Sequence, residues 1–242
     1  MTLLVLAGTG EAVQVAAACQ ARGISAVASL AGATRSPRDL RIPTRHGGFG
    51  GEDGFVRYIE AQNITAVLDA THPYASRISH RTTRICTERS MPYCQLLRPP
   101  WRPGKEDNWT ALTSEEDAAQ QIPLGSTVFL ATGRQTLNRY ANLSECRLIC
   151  RQIDPPETPF PFPNGEYLVG RPPFSVEDEV ALFRNLGVDW LVVKNAGGAA
   201  SYTKLDAARI LGIPVAMIDR PPQPEGQKVT SVEAALDWIA AL

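Results

Sequence analysis

Long apolar runs are missing from this 242-residue chain, and no stretch approaches the ~18 residues that a membrane-spanning helix needs. Cysteine is sparse and unpatterned. The five residues form no Cys-x-x-Cys pair and no Cys/His cluster with zinc spacing, so a structural metal is not expected and reduced thiols are. Lysine is rarer still, four against twenty arginines, and the formal charge is −1. That balance leaves no basic field for a nucleic acid or an anionic membrane. The apolar start, Met1 to Ala7, lacks a basic leader and runs straight into a glycine turn, which reads as a first strand rather than a signal peptide. A cytoplasmic location is the expectation. The arginine excess is either simple compositional preference or a supply of planar forks for carboxylates and phosphates.

The chain is rich in short apolar runs alternating with helix-period segments, the pattern of α/β proteins with parallel sheets. Strands are predicted at 2–6, 26–30, 66–69 and 93–97, with helices at 11–22, 54–62 and 75–88. Arg98-Pro99-Pro100-Trp101-Arg102-Pro103-Gly104 can continue neither element and marks a boundary. Beyond it the alternation restarts. A helix is predicted near 114–121, opened by a Ser114-x-x-Asp117 capping box, followed by strands at 127–130 and 148–151. After a proline-rich loop at 154–163 come a helix at 176–185 capped by Ser175, strands at 190–194 and 215–218, a helix near 203–211 and a closing helix capped by Ser231. The expected fold is α/β: two Rossmann-like, doubly wound parallel-sheet domains, residues 1–100 and 101–242, with a cleft between them.

Ligands of such folds bind at the carboxyl ends of the strands. The most informative stretch, Asp69-Ala70-Thr71-His72-Pro73-Tyr74-Ala75, stands directly behind the buried run Ala66-Val67-Leu68. His72 reads either as an acid or donor toward a ligand or as a strand-end hydrogen-bonding group. Arg77, Arg81 and Arg84 share one helix face, either for carboxylates or for solvent. Gly8-Thr9-Gly10-Glu11 follows the first strand as a dinucleotide-type turn, although Val13 replaces the third glycine of the full fingerprint. At the end of the second strand there is no acid for a ribose 2′-hydroxyl. Ser29 stands there, with Arg35 and Arg38 downstream, a set that suits a 2′-phosphate and hence NADPH over NADH. Gly47 and Gly48 open a glycine cluster that serves either ligand approach or loop mobility. In the second half, Lys194, Asn195, Gly197 and Gly198 end a strand with an amine, an amide and two glycines, and Lys204 follows.

Together these motifs resemble the precorrin-6A reductase family of cobalamin (vitamin B12) biosynthesis. The resemblance spans nearly the whole chain, through the Gly8 turn, the Gly47 cluster, the Asp69–Ala75 string, Arg98-Pro99-Pro100-Trp101, Pro173-Phe174-Ser175 and the Lys194–Gly198 turn with its trailing Lys204-Leu205-Asp206. The run Arg171-Pro172-Pro173 departs from the resemblance, where a glycine before Pro-Phe is more usual. The resemblance implies an NADPH-dependent enzyme that reduces one carbon–carbon double bond of precorrin-6A to give precorrin-6B, with no metal or flavin of its own. In that scheme Gly8, Thr9, Gly10 and Glu11 hold the diphosphate and ribose, and Ser29 and Arg35 hold the 2′-phosphate. Gly47, Gly48, Lys194, Asn195, Gly197 and Gly198 complete the cofactor set. Thr71, Pro73, Tyr74, Arg77 and Lys204 meet the many-armed carboxylate substrate, and His72 supplies the proton. The alternatives are a reductase of cobalt-precorrin-6A and a non-catalytic NADP(H)-sensing module. A short-chain dehydrogenase would need a Tyr-x-x-x-Lys pair, and none of the six tyrosines has one.

Overall fold

The structure, a computed structural model, describes residues 1–32 and 39–242. It divides into two compact units, Met1–Pro99 together with Pro221–Leu242, and Pro100–Arg220. Among the described residues no helix is long and apolar enough to cross a membrane, and no group of His, Cys, Asp and Glu could hold a metal ion. All five cysteines are buried and free.

The first unit is built from β1 (Leu3–Ala7), α1 (Gly10–Ala21), β2 (Ala26–Leu30), β3 (Thr44–His46), α2 (Glu52–Ala61), β4 (Ala66–Ala70), α3 (Ser76–Glu88) and β5 (Tyr93–Leu96). The strands pair in parallel, β1 lying between β2 and β4 with Leu3 level with both Ala26 and Ala66. Every residue of β1 and β4 is buried, as a strand covered on both faces requires. Leu3 and Val5 pack with Val15, Ala16 and Cys19 of α1, while Leu4 and Leu6 pack with Phe55 and Ile59 of α2. Each such side chain removed from water contributes ~1.5–3 kcal/mol.

The second unit contains β6 (Trp109–Leu112), β7 (Thr127–Leu130), β8 (Arg147–Gln152), β9 (Gly165–Val169), α4 (Val176–Leu186), β10 (Trp190–Lys194), α5 (Thr203–Leu211) and β11 (Val215–Ile218). Its sheet runs β6-β11-β10-β7-β8-β9, again parallel. Phe129, Ile149, Leu191 and Val193 form one core face against Phe183 of α4 and Leu205 of α5. Ser175 caps α4, as the sequence predicts, and Asp178 accepts from the Ser175 N–H to complete a capping box.

The chain leaves the first unit at Pro99 and returns to it at Pro221, so residues 221–242, expected in the second domain, lie in the first unit. Strand β12 (Lys228–Val229) pairs with β5, and helix α6 (Val232–Ala240) carries Ala235, Trp238 and Ile239 into the core shared with α1. The edge of β5 and the exposed side of α1 are what draw the segment back. The helix expected at 114–121 is a short 3-10 turn, Glu116–Gln120, where Asp117 Oδ2 accepts from the Ser114 N–H and the Thr113 hydroxyl. Strands β3, β6, β9 and β12 and the 3-10 segment Arg134–Leu143 were not foreseen.

A Cβ at Gly54, in the first turn of α2, would lie 1.7 Å from the Phe49 carbonyl oxygen, whereas one at Gly48 would meet nothing within 4 Å. Gly54→Ala is therefore expected to lower unfolding free energy by about 3 kcal/mol. Gly48→Ala should leave the urea midpoint nearly unchanged, and comparison of the two midpoints checks the contrast.

Candidate functional site

In the first sheet the strand order reverses between β1 and β4, because the chain goes from β1 to β2 and β3 on one side and to β4 and β5 on the other. Such a switch point opens a crevice at the carboxyl edge. The two loops that flank it touch. A Cβ on Gly8 would lie 3.3 Å from the His72 nitrogen and 3.4 Å from Thr71 Cα, so only glycine fits without displacing the neighbouring loop. Thr9 caps α1, its hydroxyl accepting from the Ala12 N–H at 3.3 Å and donating to the Ala70 carbonyl at 2.9 Å. One side chain thus ties the glycine turn to the end of β4 and leaves the first turn of α1 with its positive dipole end. Glu11, in that turn, accepts from Arg98 Nη1 at 2.8 Å. A bare carboxylate would repel a diphosphate; the guanidinium neutralises it.

Asp69 shapes the other loop and is fully buried. Its Oδ1 accepts from the Thr71 N–H at 3.0 Å and hydroxyl at 2.6 Å, and its Oδ2 accepts from the Tyr93 hydroxyl at 2.9 Å. Burial, then the Asp69 charge, pushes the Tyr93 hydroxyl far above its ordinary range, so it remains a donor. His72 is half-buried, and its Nδ1 accepts from the Tyr74 N–H at 3.3 Å. An accepting Nδ1 leaves the ring proton on Nε2, and a second proton on the ring would displace the Tyr74 bond. The charge of the imidazole is therefore coupled to the conformation of Tyr74, whose ring centroid lies 5.6 Å away. Pro73 is buried, and its carbonyl accepts from Gln223 Nε2 at 2.9 Å.

At the end of β2, Ser29 is level with Arg45 of β3. Arg45 Nη1 donates to Ser29 Oγ at 2.8 Å and to the Gly47 carbonyl at 2.9 Å, and Nη2 donates to the Gly48 carbonyl at 2.9 Å. Its guanidinium also lies 4.0 Å from the Phe49 ring centroid. The cation beside Ser29 is thus Arg45, which the sequence reading passed over; a short strand pairing with β2 was the missing signal. Arg35 and Arg38 lie outside the described residues. The arginine stripe on α3 divides. Arg77 is exposed, Arg81 lies near the Phe55 ring with its pKa lowered mainly by burial, and Arg84 pairs with Glu52 and Glu88.

In the second unit the strand order reverses between β7 and β10. Lys194 Nζ lies 3.3 Å from Thr136 Oγ1, 3.4 Å from the Thr132 carbonyl and 3.5 Å from Glu115, and burial lowers its pKa while Glu115 opposes that. Asn195 is held by the chain that precedes β6. Its amide is engaged by the Trp101 backbone, Oδ1 accepting from N–H at 2.8 Å and Nδ2 donating to the carbonyl at 3.0 Å, so it braces the linker. Trp101 Nε1 donates to the Gly198 carbonyl at 2.9 Å, and Gly197 and Gly198 both take positive φ, 70° and 80°. Lys204 Nζ donates to the Ser201 carbonyl at 2.6 Å. Near it, Arg151 and Glu179 form a buried pair at 2.5 Å, with the guanidinium 4.6 Å from the Phe129 ring and 4.5 Å from the Phe174 ring.

The family model described as Precorrin-6x reductase CbiJ/CobK matches residues 2–240. The chain is 43% identical over 243 residues to a precorrin-6A reductase of Rhodococcus erythropolis, covering 99% of this chain and 98% of the relative. It is 38% identical to one of Rhodobacter capsulatus, covering 98% and 95%. A solved structure named CobK precorrin-6A reductase superposes with a TM-score of 0.95 at 38% identity, covering 100% of this chain and 97% of that one.

Burial pushes the Lys204 ammonium down to about 8 from the ordinary 10.5, with Glu179 opposing and Arg151 reinforcing the shift. Between those values the unfolded chain binds the proton and the folded chain does not. Stability from this group therefore rises with pH across the window and is lowest below it. Lys204→Met should remove that rise, read as the difference in urea midpoint between pH 7 and about pH 10 for the variant against the parent.

Proposed function

This chain belongs to the precorrin-6x reductase family, and from that membership we propose that it reduces one carbon–carbon double bond of precorrin-6A with NADPH, giving precorrin-6B in cobalamin biosynthesis. The observation that carries the reading is the packing of Gly8 against Thr71 and His72, which seats a dinucleotide-type turn beside a histidine-bearing loop. The residues fit the coenzyme. Gly8, Thr9, Gly10 and the first amides of α1 suit a diphosphate, and Glu11 beside them is neutralised by Arg98. At the end of β2 a hydroxyl and a guanidinium, Ser29 and Arg45, stand where a site for NADH places a carboxylate, which supports the 2′-phosphorylated form. The coenzyme, when bound, supplies the hydride.

The protein's part is positioning and proton delivery. Asp69 orients Thr71, Pro73 and its Gln223 bond set the loop's exit, and Tyr74 offers a flat amphipathic surface for a macrocycle. His72 is the group assigned to pass a proton: the ring first takes a second proton at Nδ1, releasing the Tyr74 N–H, and the imidazolium then gives its Nε2 proton to the carbon next to the one that receives the hydride, leaving a neutral ring. Arg77, exposed on α3, suits a carboxylate arm of the substrate. Identity is 38–43% to relatives named precorrin-6A reductase and 25–28% to those named cobalt-precorrin-6A reductase, which favours the metal-free substrate.

The test is NADPH oxidation followed optically with precorrin-6A, its cobalt complex and NADH in place of NADPH. The expected kcat/KM ordering is NADPH above NADH and metal-free above cobalt-bearing substrate; coenzyme binding without oxidation would make the chain a sensor. His72→Ala should lower kcat by about 100-fold or more with little change in KM for NADPH. Arg45→Ala should raise KM for NADPH by about 10-fold or more and leave NADH kinetics alone. Equal losses with both coenzymes would reduce Arg45 to a loop-holding role.

A further inference from the structure

A groove of about 390 Å³ opens in the second unit beside the end of β8, between the Arg134–Leu143 segment and the proline-rich loop. Gln152, the last residue of β8, lines it and is only 6% exposed, yet neither its Oε1 nor its Nε2 has a hydrogen-bond partner. The backbone of Gln152 is engaged, its carbonyl accepting from the Gly170 N–H at 2.9 Å, so the strand does not need an amide side chain there. A buried donor and acceptor left unmet are each costly, and Leu or Met would fill the position without that cost. A second opening in the unit, lined by Arg147, Asn164 and Glu166, has no such group among its lining residues.

We propose that this groove binds a small planar group presenting an N–H donor beside an acceptor, either a carboxamide or the amino and ring-nitrogen edge of an aminopurine. A glutamine amide meets such an edge with two parallel hydrogen bonds, satisfying both of its atoms. A carboxylate would occupy Nε2 and leave Oε1 unmet. Leu137, Pro159, Pro161 and Tyr167 supply apolar and aromatic surface for the faces of a flat ligand. Arg134 and Glu157 give the rim one charge of each sign, which selects neither anion nor cation. Both amide atoms are closed off from solvent, so a ligand reaches them only as the Gln152 side chain turns into the groove it lines. The inference lies wholly within the second unit and does not rest on the coenzyme reading.

The test uses the full chain labelled with ¹⁵N-glutamine, the Gln152 side-chain signal being identified by its loss in Gln152→Met. Nicotinamide or adenosine should shift that signal saturably and propionate should not. A response to nicotinamide alone assigns the carboxamide, and one to adenosine alone assigns the aminopurine edge. Gln152→Met should melt no lower than the parent, because it removes an unmet amide. No saturable shift with either ligand, a shift with propionate alone, or a melting temperature several degrees lower in Gln152→Met would overturn the proposal.

Discussion

The carboxyl edge of the first unit depends on one buried carboxylate. Asp69 sits at the end of a fully buried strand, where an ionised side chain is costly unless its oxygens are met. Two donors of Thr71 meet one oxygen and the Tyr93 hydroxyl meets the other. With its backbone so fixed, the loop presents His72 beside Gly8, and Thr9 locks α1 to the carbonyl of the neighbouring Ala70. Two segments sixty residues apart in the chain become one rigid surface. The string Asp-Ala-Thr-His-Pro-Tyr-Ala is thus mostly architecture, and it sets the backbone of His72 against Gly8.

The arginines divide in a way that composition conceals. Arg45 clasps two glycine carbonyls, Arg98 neutralises Glu11, Arg151 lies between two aromatic rings on Glu179, and Arg220 donates to the Asn195 and Ala196 carbonyls. Much of the excess thus braces loops. The planar fork that suits a phosphate suits a pair of backbone carbonyls equally well.

Interior strands were legible because they are continuous apolar runs: β2, β7, β10 and β11 coincide with their predicted limits. The outer strands were not, because an edge needs little apolar character. Strand β3 is Thr-Arg-His and β12 has two residues. At the site, the glycine turn and the histidine loop were readable from local sequence. The roles of Arg45, Arg98 and Asn195 were not, since each is set by a partner distant in the chain or by strand register. Asn195 illustrates the limit. Its amide is held at both polar ends by the Trp101 backbone, a partner ninety-four residues away that local sequence does not announce.

The return of Pro221–Leu242 to the first unit bears on how the protein emerges from the ribosome. The middle portion is contiguous and complete in itself once Arg220 has cleared the exit tunnel. The amino-terminal portion, though synthesised first, has no cover over the outer side of α1 and no neighbour for β5 until residues 221–242 have been made. The order of synthesis and the order of completion are therefore reversed, and the half made earliest is the last to close.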